Sequence, residues 1–398
     1  MIIFEPLMRT SDRGTVEVRA RVESRLPPTD GSEDLVFEYP ERCAEWVTRR
    51  ADGFVAALVL RAMTVGEDIE VRAPLSARLA RGLEEYQRVL ARWYPHRLTA
   101  VEIRAPLEAA GQGPGRAVVT AFSGGVDSFY TLWSHLPPRE PDERARITHA
   151  LFVHGFDIPL HESPAYEAAR ARYTPCLADV GAELLCARTN VQSFVPRRDW
   201  GLFHGGPMIG SALVLGEGVR KLYVPASRTL DHLVPWGSDP RIDPLLSTET
   251  LDVAHDGADV TRVQKTAAIG GWAPTFGRLR VCVSYNPELP NCCRCEKCVR
   301  TMMTLDLLGL LDRQTSFPRP LARSAVRSCR YHHPTDLLIP REIVTAALAR
   351  RRWDVALDLA VAVGGSVPSL VRRTLRSRLL RVRAAIPRLR PEPATYLP

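Results

Sequence analysis

Four short apolar runs constrain this chain more than any other feature: "AVVTAF" (117–122), "THALFVH" (148–154), "ELLCART" (183–189) and "KLYVPAS" (221–227). Each is of strand length, and segments long enough for a helix separate them. Strands that are apolar on both faces must be covered on both faces, which is the situation of a parallel sheet flanked by crossover helices. The expected fold class is therefore α/β, an open and mostly parallel sheet with helices on both faces. In such sheets the loops leaving the C-terminal strand ends assemble the crevice where chemistry occurs.

The first of these exits reads "SGGVDS", residues 123–128, between the run 117–122 and the helical stretch "FYTLW". Two adjacent glycines allow a sharp turn and close approach of a ligand. The following helix N-terminus offers backbone N–H groups to an anion, with phosphate the first candidate. Ser123 and Ser128 can donate to phosphate oxygens. Asp127 would be repelled by a polyphosphate unless a cation intervened, so it either organises Mg²⁺ or caps the helix. The loop lacks the lysine of the G-x-x-x-x-G-K-[ST] pattern, which points away from transfer of a terminal phosphate.

A second concentration of chemistry lies in "CVSYNPELPNCCRCEKCVR", residues 282–300. Cys292, Cys295 and Cys298 have C-x₂-C-x₂-C spacing, and Cys282 can join them across the intervening loop. Four thiolates complete a closed tetrahedral Zn²⁺ site, while an iron–sulfur cluster is the alternative. Cys293, next to Cys292 and outside the repeat, reads as a spare thiol beside the metal. Five of the nine cysteines fall within this stretch, which suits metal binding in a chain of 398 residues better than disulfide stapling.

"SGGVDS" in this strand–loop–helix context resembles the pyrophosphate loop of the adenosine nucleotide α-hydrolase-like, or PP-loop ATP pyrophosphatase, superfamily. The resemblance implies cleavage of ATP between its α and β phosphates, with AMP passing to a substrate oxygen. It assigns nucleotide binding to Ser123, Gly124, Gly125, Val126, Asp127 and Ser128, with Ser123, Asp127 and Ser128 catalytic. Together, the loop and the cysteine group resemble the 7-cyano-7-deazaguanine synthase family over about residues 115–312. That family adenylates a carboxylate, forms an amide with ammonia and dehydrates it to a nitrile. The resources implied are ATP, Mg²⁺ and a Zn²⁺ on Cys282, Cys292, Cys295 and Cys298. This chain departs from the family after its second strand, where "VHGFDIPLHESPAYEAA" replaces a "DYGQ" segment followed by histidine and glutamate.

Within that segment Asp157 is a candidate polar contact to nucleotide and His161 a candidate proton-transfer group, or each is an ordinary cap or surface residue. The stretch 237–265 concentrates Asp239, Asp243, Ser247, Thr248, His255, Asp256 and Asp259, and reads as a substrate loop followed by a helix. Arg262 and Lys265 lie one turn apart on that helix. They either neutralise phosphate charge during adenyl transfer, with Lys265 joining the catalytic set, or pair with nearby carboxylates.

Residues 1–112 are expected to form a small α/β lobe, from "TVEVRARVE", "GFVAALVLRAMTVGEDIEVRAPLS", "SARLARGLEEYQRVLARWYPH" and "AVEIRA", ending at the Gly-rich stretch near 110. The PP-loop domain is expected over 113–312, and a helical, basic region over 313–398. The net charge of +8 alone names no partner. Residues 366–392 hold eight arginines among Leu, Val and Ile, an arrangement that either docks a protein, a carrier domain or RNA or stays solvated beside its own core. Residues 1–20 carry Glu5, Arg9, Asp12 and Arg13 rather than an apolar leader, and no membrane span is expected, so a cytoplasmic location is the default.

The leading expectation is an ATP-dependent carbon–nitrogen ligase. It would adenylate a carboxylate substrate of unspecified size and use free ammonia or an amine donor, since no glutamine-hydrolysing cysteine motif is apparent. The alternatives are a tRNA-modifying or thiolating PP-loop enzyme and a nucleotide-regulated protein- or RNA-binding module.

Overall fold

The computed structural model describes residues 1–12, 14–108, 115–195, 199–282 and 285–385, with side chains described up to residue 372. The Gly-rich stretch near 109–114, the arginine side chains beyond 372, and Pro387 and Pro391 fall outside it. Two compact units emerge, one of residues 1–291 with 312–316, the other of 292–311 with 317–398. These divisions differ from the boundaries expected near 112 and 312.

Among the described residues the first unit holds thirteen strands: β1 Ile2–Ile3, β2 Leu7–Ser11, β3 Thr15–Glu23, β4 Asp34–Pro40, β5 Ile69–Val71, β6 Leu75–Ser76, β7 Ile103–Arg104, β8 Leu107–Glu108, β9 Ala117–Ala121, β10 His149–His154, β11 Glu183–Thr189, β12 Val219–Pro225 and β13 Asp252–Asp256. Eleven form one mixed sheet in the order β13-β12-β9-β10-β11-β4-β3-β1-β5-β7, with β2 beside β3. From β13 to β11 the strands are parallel. The four apolar runs are β9, β10, β11 and β12, and helices cover both faces as their composition requires. β13 is an edge strand within the stretch read as a substrate loop.

The sheet does not stop at β11. Antiparallel pairing of Arg188 and Thr189 with Glu38 and Phe37 carries it into the N-terminal strands. Asn190 reinforces the junction by accepting from the Val36 N–H at 2.9 Å and donating to the Asp34 carbonyl at 2.9 Å. The N-terminal lobe is thus an extension of the same sheet.

Its helices are α1 Asp52–Val65 and α2 Ala77–Trp93; the core adds α3 Val126–Ser134, α4 Ser163–Ala178, the short α5 Val191–Phe194 and α6 Trp200–Phe203, then α7 Gly205–Leu213 and α8 Arg262–Gly270. Twelve consecutive residues of α1 are buried, so it is a core helix without a wet face. It crosses α7 at a glycine contact: a Cβ on Gly53 would meet the Gly210 carbonyl at 2.5 Å, and one on Gly210 the Gly53 carbonyl at 2.4 Å. Only hydrogen at both positions permits that approach.

The second unit is helical: α9 Glu296–Leu307, α10 Arg323–Ser328, α11 Leu338–Ala349 and α12 Trp353–Ala385. Asp358 on α12 accepts from Arg323 at 2.7 Å and Arg327 at 2.6 Å, tying α12 to α10. Within α12, Trp353–Arg372 is long and apolar enough, by length and composition, to cross a membrane. The sequence alone suggests no span there, since no segment supplies the roughly twenty consecutive apolar residues that one needs.

Candidate functional site

β9 delivers the chain to the glycine loop. Gly124 has φ +75°, a left-handed value that favours glycine, and a Cβ there would lie 1.8 Å from the Tyr173 hydroxyl of α4. The turn is closed from within. The Gly125 N–H donates to Ser123 Oγ at 3.3 Å, the Ser123 N–H to Ser128 Oγ at 3.3 Å, and Ser128 Oγ to the Gly125 carbonyl at 3.1 Å. The Ser128 proton therefore points into the turn. Gly125 is the residue that caps α3 and makes no side-chain cap bond, so Val126, Asp127 and Ser128 present first-turn N–H groups, which have no intrahelical partner.

Asp127 does not cap the helix. Its carboxylate is held by Arg262, and its other oxygen lies 3.7 Å from Lys265 Nζ. Both cations belong to the first turns of α8, whose start is fixed by a reciprocal Thr261–Gln264 capping box. Lys265 is 2 % exposed and donates to the Ala226 carbonyl, at the end of β12, at 2.5 Å. Burial, together with Arg262, lowers its pKa from the ordinary lysine value against the opposing pull of Asp127.

Arg280 is the residue the sequence reading missed. Its backbone N–H donates to the Gly124 carbonyl at 2.8 Å, and its guanidinium donates to the Ser123 carbonyl at 3.2 Å and pairs with Asp157. Burial opposes its charge, yet Asp157 raises its pKa above the ordinary arginine value. Asp157 is thus brought to the loop through Arg280. His161 is not: its side chain is exposed and its nearest carboxylate is Glu162 at 3.8 Å.

Most of the polar residues in the stretch before α8 pair with one another or with neighbouring elements. Asp239 holds Arg241, and Ser247 accepts from the Val253 N–H at 3.0 Å. Thr248 accepts from the Leu251 N–H at 3.0 Å. Asp243 accepts from Ser238 at 2.7 Å and lies 2.7 Å from Nδ1 of His255. Asp256 accepts from Thr131 of α3 at 2.7 Å and meets Nε2 of His135 at 2.8 Å, bracing the helix that carries the loop. Asp259 is exposed.

The loop therefore gathers three cations, two carboxylates and a helix N-terminus, a balance suited to a polyanion. For Mg²⁺ the donors are sparse. Among the described residues no group of three carboxylates or histidines converges to hold it, and Asp127 is already engaged by Arg262 and Lys265. A cavity of about 690 Å³ lined by Arg42, His149, Arg170 and Cys186 lies at the N-terminal ends of β10 and β11, the end of the sheet opposite the loop.

Cys282, Cys292, Cys295 and Cys298 do converge, with all four Sγ atoms within 4.8 Å of one another. Cys292 and Cys298 are 3.9 Å apart, close to the edge of about 3.8 Å that a tetrahedron with 2.3 Å Zn–S arms requires. The Cys295 N–H donates to Cys292 Sγ at 3.3 Å. Cys295 is the N-cap residue of α9, which places it and Cys298 at that helix's N-terminus. Asn291 fixes the approach: it accepts from the Val281 N–H at 2.9 Å and donates to the Leu279 and Ser316 carbonyls at 2.7 and 3.0 Å. Cys293, at φ +60°, stands outside the group. The site is compatible with a tetrahedral metal ion such as Zn²⁺.

Comparison with protein-family models, with curated proteins and with solved structures returns no match to this chain.

Proposed function

We propose that this chain is an ATP-dependent ligase of the PP-loop type, similar to 7-cyano-7-deazaguanine synthases, that adenylates a carboxylate and passes the acyl group to ammonia or an amine. The observation that carries this reading is the convergence of Arg262, Lys265 and Arg280, remote in sequence, on the "SGGVDS" turn. A glycine turn that only solved a local bend would need no such company.

A substrate carboxylate oxygen attacks the α-phosphorus of ATP, the bond to the α–β bridging oxygen breaks, and pyrophosphate leaves. Ammonia then attacks the acyl carbon, AMP departs, and the surplus proton goes to solvent. The protein's share is positioning and charge. The first-turn N–H groups of α3 and the cations of α8 stabilise the leaving pyrophosphate, and no side-chain nucleophile is required. Mg²⁺ bound with the phosphates would neutralise part of their charge, and Asp127 could share it only by giving up its pairs with Arg262 and Lys265. The four cysteines would hold Zn²⁺ as a structural ion. Their mutual approach favours that role over a persulfide carrier, and so disfavours thiolation.

The test is to incubate the protein with ATP, Mg²⁺, ammonia and a panel of carboxylic acids including 7-carboxy-7-deazaguanine, measuring AMP and pyrophosphate separately. Equal, acid-dependent formation of both is expected. ATP binding without AMP release under every acid would overturn the proposal in favour of a nucleotide-regulated binding module.

A further inference from the structure

We propose that the exposed face of α12 docks on the anionic headgroup surface of a lipid bilayer, with the helix lying in the interface rather than crossing it. Trp353, Leu357, Val361, Val367 and Val371 are each between 47 % and 65 % exposed. On a helix of 3.6 residues per turn they share one face, joined by exposed Ala360, Gly364 and Pro368. The stripe runs roughly 27 Å along the axis, begins at an aromatic ring and contains no charge from residue 359 to 371.

The opposite face is already in use. Val355, Leu359, Ala362 and Ser366 are buried, Ser366 accepts from the Tyr331 N–H at 3.0 Å, and Asp358 is clamped by Arg323 and Arg327. A helix surrounded by lipid would have to part from those partners and leave their polar groups unsatisfied in hydrocarbon. One face covered by protein and one apolar face left open is instead the pattern of an interfacial helix.

Charge selects the occupant. Beyond the stripe the sequence has eight arginines from 372 to 390 and no carboxylate between Asp358 and Glu392. A basic run of sequence directly following an apolar stripe complements an anionic membrane surface. A second copy of the chain would bring eight further arginines with no acidic residue in that segment to meet them. An RNA would use the arginines and leave the apolar stripe in water.

Full-length protein is floated with phosphatidylcholine vesicles and with vesicles in which phosphatidylglycerol replaces part of that lipid. Binding to the anionic vesicles alone, weakened by salt, is expected. The double variant Leu357→Glu/Val361→Glu should lower the bound fraction at least tenfold, with bound metal and unfolding temperature as folding controls. Val367→Glu gives a second, independent reading should the double variant fail to fold. The proposal is overturned by absence of flotation, by flotation that the glutamates leave unchanged, or by resistance of the bound protein to alkaline carbonate, which would indicate a spanning helix. A stripe-dependent dimer, or RNA binding without vesicle binding, also overturns it.

Discussion

The glycine loop and the cysteine group are the two places where this chain concentrates polar chemistry, and they are organised in opposite ways. Around the loop, the charges are paired before any ligand arrives, with one cation in excess: Arg262 and Lys265 meet Asp127, and Arg280 meets Asp157. Under the proposed function, a polyphosphate there would exchange partners within a network that already stands. The cysteine group has no such internal balance, because four thiolates within 4.8 Å of one another repel unless a cation sits among them. One region is preorganised by protein, while the other depends on what it binds.

Metal removal is the strongest way to test that difference. Purified protein should hold about one Zn²⁺ per chain, as a four-thiolate site requires. Stripping it, or replacing Cys295 with serine, should lower stability by several kcal/mol, a loss read by metal analysis and thermal unfolding. Unchanged metal content and unfolding in the serine variant would dismiss the structural-metal assignment.

Asp127→Asn comes next. AMP and pyrophosphate production should fall roughly a hundredfold, the scale of losing one important electrostatic contact in the transition state. Because Lys265 and Arg262 lose their counter-charge, stability should also drop, on the order of 3 kcal/mol for a broken buried pair. Adding Lys265→Met should recover stability without recovering turnover. If the double variant regained activity, Asp127 would be a structural residue only.

Gly124→Ala should cost about 2 kcal/mol, combining a left-handed alanine with displacement of Tyr173. Gly125→Ala should be milder, since the backbone has negative φ there and its nearest neighbour, Ser123 Oγ, is 3.3 Å away. Chemical denaturation of the two variants side by side would expose an error in the loop geometry if their order reversed.

The smallest effect concerns pH. Burial pulls the His135 pKa down, but hydrogen bonding and attraction from Asp256, then Glu140, leave it raised above the ordinary histidine value. A folded-state pKa above the unfolded one contributes stability that is complete below the unfolded value, near pH 6.5, and is lost as pH rises through the folded value. Unfolding measured across that window should show the decline in the wild type and a flatter profile in His135→Asn. Equal profiles would remove His135 from the bracing of α3.

Legibility in the sequence followed the physics of each element. β10 is buried on both faces apart from half-buried His149, β9 wholly so and β11 and β12 for the most part, so their composition announced them. β13 is an edge strand whose "DVAHD" spends His255 and Asp256 on pairs with Asp243 and His135, and its polarity reads as loop. The cysteine spacing was plain because ligand geometry is largely local. Arg280 was not, since its importance comes from residues more than a hundred positions away. The joining of the N-terminal strands to the core was equally hidden, because register between distant segments leaves no local mark.

That joining governs how the molecule can be made. Val36 and Asn190, bonded across the β4–β11 junction, are 154 residues apart in the chain. At ribosomal rates the interval between them is roughly 8–30 s, during which β4, paired with β3, lacks β11 on its other edge and the glycine face of α1 awaits α7. Such long-range closure is slow and leaves nascent edges open to wrong partners. A fragment beginning near residue 115, cut to isolate the nucleotide loop, would expose the β11 edge permanently and should precipitate rather than fold.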